Sequence, residues 1–410
     1  MRLIYNFGLK IYLLLVKMSA SKNPKARKWL DGRKNLLKRI KAEVNSSEKC
    51  VWVHCASLGE FEQGRPLIEE IKRAYPEKKI VLTFFSPSGY EVQKDYKNAD
   101  YICYLPLDTR RNAKRFIKLI NPEVVFFIKY EYWYNFLSVL KKRSVPVYFV
   151  SAIFRKDQLF FKWYGGWYRR MLKKATHFFI QNQESADLLE ELNVKNYTIV
   201  GDTRFDRVAH IHENVKPLPL VEMFMDNQKA IVAGSSWKAE EALLMQYLRI
   251  FPKLKVIIAP HEVSDENIQR IINLFGEANT VCYSKATPKS MVGKNVLIID
   301  SYGLLTSLYQ YGLIALVGGG FGVGIHNILE PATFGMPIII GPKYEKFKEA
   351  NDLVELNAAF PVANIEEFNT LMNHLLSDRE IVKIISDKAS AYVKDNVGAT
   401  AKVIGAVFNR

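Results

Sequence analysis

Leu313-Ile-Ala-Leu-Val317-Gly-Gly-Gly320-Phe-Gly-Val-Gly324-Ile-His-Asn327-Ile-Leu-Glu330-Pro331 runs from five apolar residues straight into a cluster of five glycines. An apolar run this short, closed by glycine, reads as a fully buried strand. Glycines after a strand let the backbone approach a ligand closely, and the helix expected next offers N–H groups to a phosphate. A dinucleotide fingerprint needs a third glycine in register, and every register fails: from Gly318 the last position is Val323, from Gly320 it is Ile325, from Gly322 it is Asn327. No Walker A lysine is present either. What remains is a glycine loop followed by His-Asn-x-x-Glu-Pro. Glu330 is placed to accept two hydroxyl hydrogen bonds from a ribose, and Pro331 suits the first turn of a helix. An ordinary turn with a satisfied Glu is the other reading; the constellation favours a ligand.

Working outward, the same rhythm fills the chain. Buried strands are expected at 230–233, 255–259, 296–299, 313–317 and 337–340, and an earlier series at 50–54, 80–85, 124–128, 145–150, 177–180 and 198–200. Helical patterns lie between them, as at 61–74, 113–120 and 185–191. Wholly apolar strands alternating with amphipathic helices predict parallel sheets covered on both faces. Two series predict two doubly wound, Rossmann-like α/β domains facing a central cleft, 1–207 and 208–410. The linker is placed within 204–228, where Pro217 and Pro219 interrupt any clean periodicity. In such sheets ligands bind beyond the carboxyl ends of the strands, so the loops there carry the candidates.

One of them is His54-Cys-Ala-Ser57-Leu-Gly-Glu60. Ser57 with Glu60 three residues on is a capping-box pattern; the functional reading makes Glu60 a general base at a strand end. Another, Lys129-Tyr-Glu131-Tyr-Trp133-Tyr-Asn135, sets Glu131 among aromatics. Its plain reading is an acid favoured by a helix dipole, but two acids at equivalent loop positions strengthen the functional one. Gly234-Ser235-Ser236-Trp237 and Ala259-Pro260-His261-Glu262 are weaker candidates for nucleotide contacts. The sequence holds no HExxH, no GxSxG and no Asp-x-Asp, so the expectation is a mechanism with no metal and no cofactor.

The 410 residues are 49% hydrophobic and 24% charged, with a net charge of +16. That is a globular composition. Cys50, Cys55, Cys103 and Cys282 show neither disulfide-scaffold nor zinc spacing. The charge is concentrated: residues 1–41 carry twelve Lys/Arg against Asp31, residues 154–175 carry seven against Asp157, and the remainder is near neutral. Apolar residues 11–16 fall far short of the roughly 20 that span a bilayer, and no signal cleavage site follows. The segment 1–41 therefore reads as a basic, interfacial membrane anchor. The stretch Phe160-Phe-Lys-Trp-Tyr-Gly-Gly-Trp-Tyr-Arg-Arg170 mixes aromatic and basic residues as lipid-headgroup surfaces do. Taken singly, each patch can also be core aromatics beside a solvated face. Nucleic acid is not expected as a partner, since no RNP, zinc-finger or helix-turn-helix pattern accompanies the charge.

Together, Ala56-Ser-Leu-Gly-Glu60, Glu131-Tyr-Trp133 with Asn135, Gly201-Asp-Thr-Arg204-Phe-Asp206, Ala233-Gly-Ser235 and residues 318–342 stand in an order that resembles the 3-deoxy-D-manno-octulosonic acid (Kdo) transferase family of lipopolysaccharide biosynthesis. The resemblance covers nearly the whole chain. It implies the GT-B fold, with an acceptor-binding first domain and a CMP-sugar-binding second one. It further implies inverting, metal-independent transfer of Kdo from CMP-Kdo to a lipid A precursor (lipid IVA) at the cytoplasmic face of the bacterial inner membrane. Residue by residue, Glu60 matches the general base and Glu131 a second acid. Arg204 takes the place of a basic residue, normally Lys, that supports the transition state. Asn327, Ile328, Leu329 and Glu330 match the CMP-binding segment, and Ser235, Pro260, His261, Gly303, Gly320 and Gly322 are the other implied CMP or phosphate contacts. The chain departs from the family where Pro260-His261 replaces Pro-Arg, so that a phosphate contact there needs a protonated His261. It departs again where Gly303-Leu304 replaces Gly-Glu, and where Lys129 replaces an acid. A GT-B transferase using another sugar nucleotide and a lipid acceptor is the alternative within enzymes; a non-catalytic membrane protein that binds nucleotide or lipid is the alternative outside them.

Overall fold

The computed structural model describes residues 2–322 and 324–409. Two compact units divide it: Met1–Arg207 with Val397–Arg410, and Val208–Asn396. The sequence-based second domain, 208–410, thus runs too far, because the last helix, Ala399–Phe408, returns to the first unit. Val403 and Ile404 pack there with Phe61 and Leu67, and Phe408 meets Tyr75 at 5.0 Å.

In the first unit the strands are β1 (Cys50–Cys55), β2 (Lys79–Phe84), β3 (Tyr101–Tyr104), β4 (Pro122–Ile128), β5 (Val147–Ala152), β6 (His177–Ile180) and β7 (Tyr197–Ile199). They form one parallel sheet in the order β3-β2-β1-β4-β5-β6-β7. Its residues alternate between two cores. Cys50 and Trp52 face one, Val51, Val53 and Cys55 the other. Both faces being covered, the strands read as continuous apolar runs.

The second unit holds another seven-stranded sheet, with β8 (Ala230–Ser236), β9 (Lys255–Pro260), β10 (Thr280–Cys282), β11 (Val296–Ile298), β12 (Gly312–Val317), β13 (Ile338–Ile340) and β14 (Ala359–Pro361). All are parallel, in the order β10-β11-β9-β8-β12-β13-β14. The first sheet reverses its strand order once, between β1 and β4; the second reverses between β8 and β12 and again near its edge, where β10 lies outside β11. Beyond the carboxyl ends of β1, β4, β8 and β12 the loops part, which is where such sheets take ligands.

Three strands absent from the sequence reading, β3, β10 and β14, are three or four residues long and lie at sheet edges. The expected linker within 204–228 is not irregular. It contains the helices Thr203–Glu213 and Pro219–Met225, the latter with its proline in the first turn, where the missing N–H costs nothing.

The N-terminal residues Arg2–Ser19 form one helix with no buried residue. Tyr5 packs against Tyr134 and Trp167, with ring centroids 5.8 and 5.5 Å away, and Tyr12 packs against Trp29. Leu3 (84% exposed), Ile4, Phe7, Leu14, Leu15 and Met18 are left open. Among the described residues no helix is long and apolar enough to cross a membrane. The second aromatic patch divides. Phe160 is buried, and Phe161, Trp167 and Tyr168 pack on the core, whereas Trp163 (91% exposed) and Tyr164 stand out. Since Trp167 touches Tyr5, the two sequence-distant basic patches are neighbours on one unit.

Candidate active site

Glu60 lies in the first turn of the helix Leu58–Ala74, which follows β1. Gly64, one turn on, lets this helix rest on the switch-point strands: a Cβ there would come within 2.7 Å of Cys55 Sγ and 3.2 Å of Ile128 Cγ1. Ser57 holds the N-cap position, yet its side chain bonds no backbone N–H. Instead its hydroxyl donates to the Glu60 carboxylate. The capping-box reading therefore fails, and the acid is half-exposed with no ion-pair partner among the described residues.

Glu131 follows β4 across the switch point. Its Oε2 lies 3.4 Å from Nε2 of His54, a buried residue of β1 that the sequence reading left without a role. His54 Nδ1 sits 2.8 Å from Thr83 Oγ1 and 3.1 Å from Thr83 O, and Trp133 Nε1 donates to His54 Nε2 at 3.3 Å. An indole N–H only donates. Nε2 therefore accepts from Trp133 when it carries no proton and faces Glu131 as a donor when it does. Burial pushes the Cys55 thiol well up, and the charges of Glu60 and Glu131 push it further; the two acids flank one strand end.

Arg204, in the helix Thr203–Glu213, is not the solitary cation its sequence position suggests. Its Nε and Nη2 donate to Asp202 Oδ2 at 2.9 and 2.8 Å, and its own N–H donates to Oδ1. Burial alone would raise the Asp202 carboxyl, but the Arg204 charge and hydrogen bonds outweigh it and hold the carboxyl below the ordinary range. Gln63 Nε2 adds a fourth donor at 2.9 Å. The pair ties this helix to Leu58–Ala74, the helix that carries Glu60.

In the second unit the glycines are required by close backbone approach. A Cβ on Gly318 would fall 2.0 Å from Ser235 O, and one on Gly320 would fall 2.5 Å from Gly341 N. Ser235 itself adopts a left-handed φ of 51°, a conformation that few side chains take. The loop is pinned by Glu240, fully buried, whose carboxylate accepts from Gly319 N–H at 2.9 Å and Trp237 N–H at 3.1 Å. Burial raises the Glu240 carboxyl, partly offset by those backbone donors. Trp237-x-x-Glu240 is a capping pair in the sequence, and the second role of its acid becomes visible only with Gly319 in place.

Ser235, Pro260, His261, Gly320 and Gly322 gather at the ends of β8, β9 and β12. Asn327 and Glu330 form a second cluster: Asn327 Nδ2 donates to Glu330 Oε1 at 2.9 Å, and Thr306, missed in the sequence, donates to Oε2 at 2.8 Å. Ile328 and Leu329 are buried, so only their backbone can meet a ligand. The helix that follows the loop is short, Leu329–Thr333. Gly303 sits in an exposed turn after β11 with φ 92°. His261 stacks on Trp237 and His326 at 4.6 and 4.4 Å, and Trp237 Nε1 donates to His326 Nε2. Burial lowers His261 despite the opposing charge of Glu262, and burial with His261 brings His326 down to about 4. Both imidazoles are neutral at pH 7. A protonated His261 replacing an arginine is therefore not what the site provides. Among the described residues no three His, Cys, Asp or Glu side chains converge as metal ligands do.

Two parallel seven-stranded sheets, each opening a loop crevice at its switch point, make this a GT-B protein. Solved structures share that architecture: UDP-GlcNAc 2-epimerase from Neisseria meningitidis, bound to UDP-GlcNAc, superposes with a TM-score of 0.62 at 16% identity, covering 88% of this chain and 100% of that one. Acinetobacter baumannii MurG does so at 0.54 and 13%, with 88% and 100% covered. Residues 31–207 match the family described as 3-Deoxy-D-manno-octulosonic-acid transferase (kdotransferase). The 3-deoxy-D-manno-octulosonic acid transferase of Aquifex aeolicus is 30% identical over 360 residues, 85% of this chain and 93% of that one. The chain belongs to the 3-deoxy-D-manno-octulosonic acid transferase family and is a glycosyltransferase.

Proposed function

We propose that the protein transfers Kdo from CMP-Kdo to a sugar hydroxyl of the lipid A precursor, with inversion and without a resident metal. The observation that carries the assignment is Glu60: a half-exposed carboxylate at the switch point of the first sheet, oriented by the Ser57 hydroxyl and unpaired with any cation among the described residues. Such an acid is placed to take a proton. In the reaction Glu60 removes the acceptor hydroxyl's proton from about 3 Å. That oxygen bonds to the anomeric carbon of Kdo, and the bond from that carbon to the phosphate oxygen breaks, its electron pair leaving with CMP. The backbone N–H groups of the glycine loop suit the departing phosphate, and Asn327 and Glu330 suit the ribose hydroxyls. Glu131, steered by His54, and Arg204, held by Asp202, shape the electrostatics around the sugar. In this reading the open face of Arg2–Ser19, with Trp163 and Tyr164, lies in the anionic cytoplasmic leaflet of the inner membrane as an interfacial, monotopic contact.

The test is mass spectrometry of a tetraacylated lipid A precursor after incubation with purified protein and freshly generated CMP-Kdo, with a UDP-sugar as the competing donor and EDTA in a parallel sample. A gain of one or more Kdo masses with CMP-Kdo alone, EDTA notwithstanding, is the expected result. A gain only with the UDP-sugar assigns a different donor; no gain with either, despite CMP binding, removes the assignment.

A further inference from the structure

The helix Tyr134–Lys142, which starts three residues after Glu131, does not cap itself: the side chain of Trp133, at the N-cap position, bonds none of its N–H groups. The cap comes from Asp108, far upstream in the chain and fully buried. Its Oδ2 accepts from the Asn135 N–H and its Oδ1 from the Phe136 N–H, both at 2.9 Å. Those are the second and third N–H groups of the helix, the ones a capping oxygen serves. A further donor, the Tyr5 hydroxyl at 2.7 Å, arrives from the N-terminal helix. Burial and the Asp108 charge push that hydroxyl far up, so it remains a donor. Beside it, Asn6 Oδ1 accepts from Asn135 Nδ2 at 3.0 Å. The first turn of Tyr134–Lys142 is thus held jointly by Asp108 and by the N-terminal helix.

The N-terminal helix reaches the same loop a second time. Tyr12, about two turns after Tyr5 and so on the same face, lies 6.2 Å from Phe85, and Phe85 lies 4.8 Å from Trp133. Trp133 Nε1 in turn donates to His54 Nε2, the nitrogen that faces Glu131. Between Glu131 and the helix there is no slack. The Trp133 N–H donates to Glu131 O and the Tyr132 N–H to Tyr130 O, each bond spanning only two residues. A shift of the first helical turn is therefore passed to Glu131. A helix that buries none of its residues gains little by packing, yet Tyr5 and Asn6 both meet the cap of another helix. We propose that Tyr5, acting through Asp108, is a positioning residue for Glu131, and that Tyr12 acts on the same loop through Phe85 and Trp133. The N-terminal helix thereby governs the rate of transfer, a role separate from any contact with a bilayer. This rests on the part that the transfer reading above gives to Glu131.

Tyr5→Phe removes the hydroxyl and keeps the ring. With full-length protein, CMP-Kdo and the tetraacylated precursor in detergent micelles, kcat should fall about tenfold while KM for either substrate stays within about twofold. The same change is then made in Glu131→Gln. If the hydroxyl acts through Glu131, it should cost less than about twofold in that background. Hydrogen exchange, read residue by residue, should be about tenfold faster at the Asn135 and Phe136 amides and unchanged in β5. An unchanged kcat in Tyr5→Phe overturns the proposal, and so does a loss carried by KM. A tenfold loss that recurs in full beside Glu131→Gln also overturns it, because that is what a merely structural hydroxyl would give. Unchanged exchange at Asn135 and Phe136 removes the link from Tyr5 to the loop whatever the activity. Faster exchange there, in a protein whose wild type moves no Kdo, would leave the link standing and remove the transfer reading instead.

Discussion

At the switch point of the first sheet the groups offered to a ligand are side chains. Glu60 and Glu131 hang from the ends of neighbouring strands, each steered by one polar partner, Ser57 or His54. At the switch point of the second sheet the offered groups are mainly backbone. Gly318 and Gly320 leave no room for a Cβ, and the buried acid there, Glu240, is spent on holding the loop. One kind of switch point therefore serves two chemistries. A group that must exchange a proton has to be a side chain with a partner that tunes it, whereas a cradle for a leaving phosphate is best made of N–H groups that cannot titrate.

That contrast can be broken at either end. Glu60→Gln should lower the transfer rate by about 10²–10⁴-fold and leave CMP affinity within about twofold; a variant keeping most of its rate would move the base elsewhere. Gly320→Ala should do the reverse, because its Cβ would meet the Gly341 backbone at 2.5 Å. CMP binding by calorimetry should weaken by about a hundredfold, equivalent to the 1–3 kcal/mol of a forced backbone shift, and unchanged affinity would show that the loop does not cradle the nucleotide. Replacing the imidazole that steers Glu131, His54→Asn, should cost roughly tenfold in kcat with CMP affinity intact. A loss confined to thermal stability would reduce His54 to a core residue.

The smallest effect concerns buried acids that never meet substrate. Asp108 accepts from Tyr5 Oη and from the N–H groups of Asn135 and Phe136. Burial nevertheless pushes its carboxyl up to about 7, the three donors only partly countering it. In the unfolded chain the group titrates near 3.9, so between those values the folded form keeps a proton that the unfolded form releases. This contribution to stability is complete below about pH 4 and is lost as the pH rises through 7. Urea unfolding should show the wild type losing about 1 kcal/mol between pH 5 and pH 6 relative to Asp108→Asn. Parallel curves for the two proteins would mean that the donors win and the carboxyl is ionised throughout.

The sequence showed best what depends on burial from both sides. β1, β4, β8 and β12, at the centres of the sheets, are built on buried apolar runs, and the loops after them held Glu60, Glu131 and the glycines. β3, β10 and β14 escaped because three or four residues at a sheet edge carry little pattern; β7, as short and also at an edge, was nonetheless legible at 198–200. His54 was in plain view, but its meaning required Thr83 from β2 and Trp133 from beyond β4. Asp202 stood two residues before Arg204 in the quoted motif; only the folded chain shows that the two side chains grip each other.

The return of Ala399–Phe408 to the first unit has a consequence for how the protein is made. Asp206 accepts from the N–H groups of Gly398 and Thr400 and from the Thr400 hydroxyl, so the helix by which the chain leaves the first unit is clasped to the start of the helix by which it returns. On the ribosome the first unit emerges first, yet the apolar groove that takes Val403 and Ile404 stays open while roughly 190 further residues are made. At 5–20 residues per second that delay is about 10–40 s. The half of the molecule that begins folding earliest is completed last, and a nascent chain stalled anywhere in the second unit would present chaperones with the bare flank of the helix that carries Glu60.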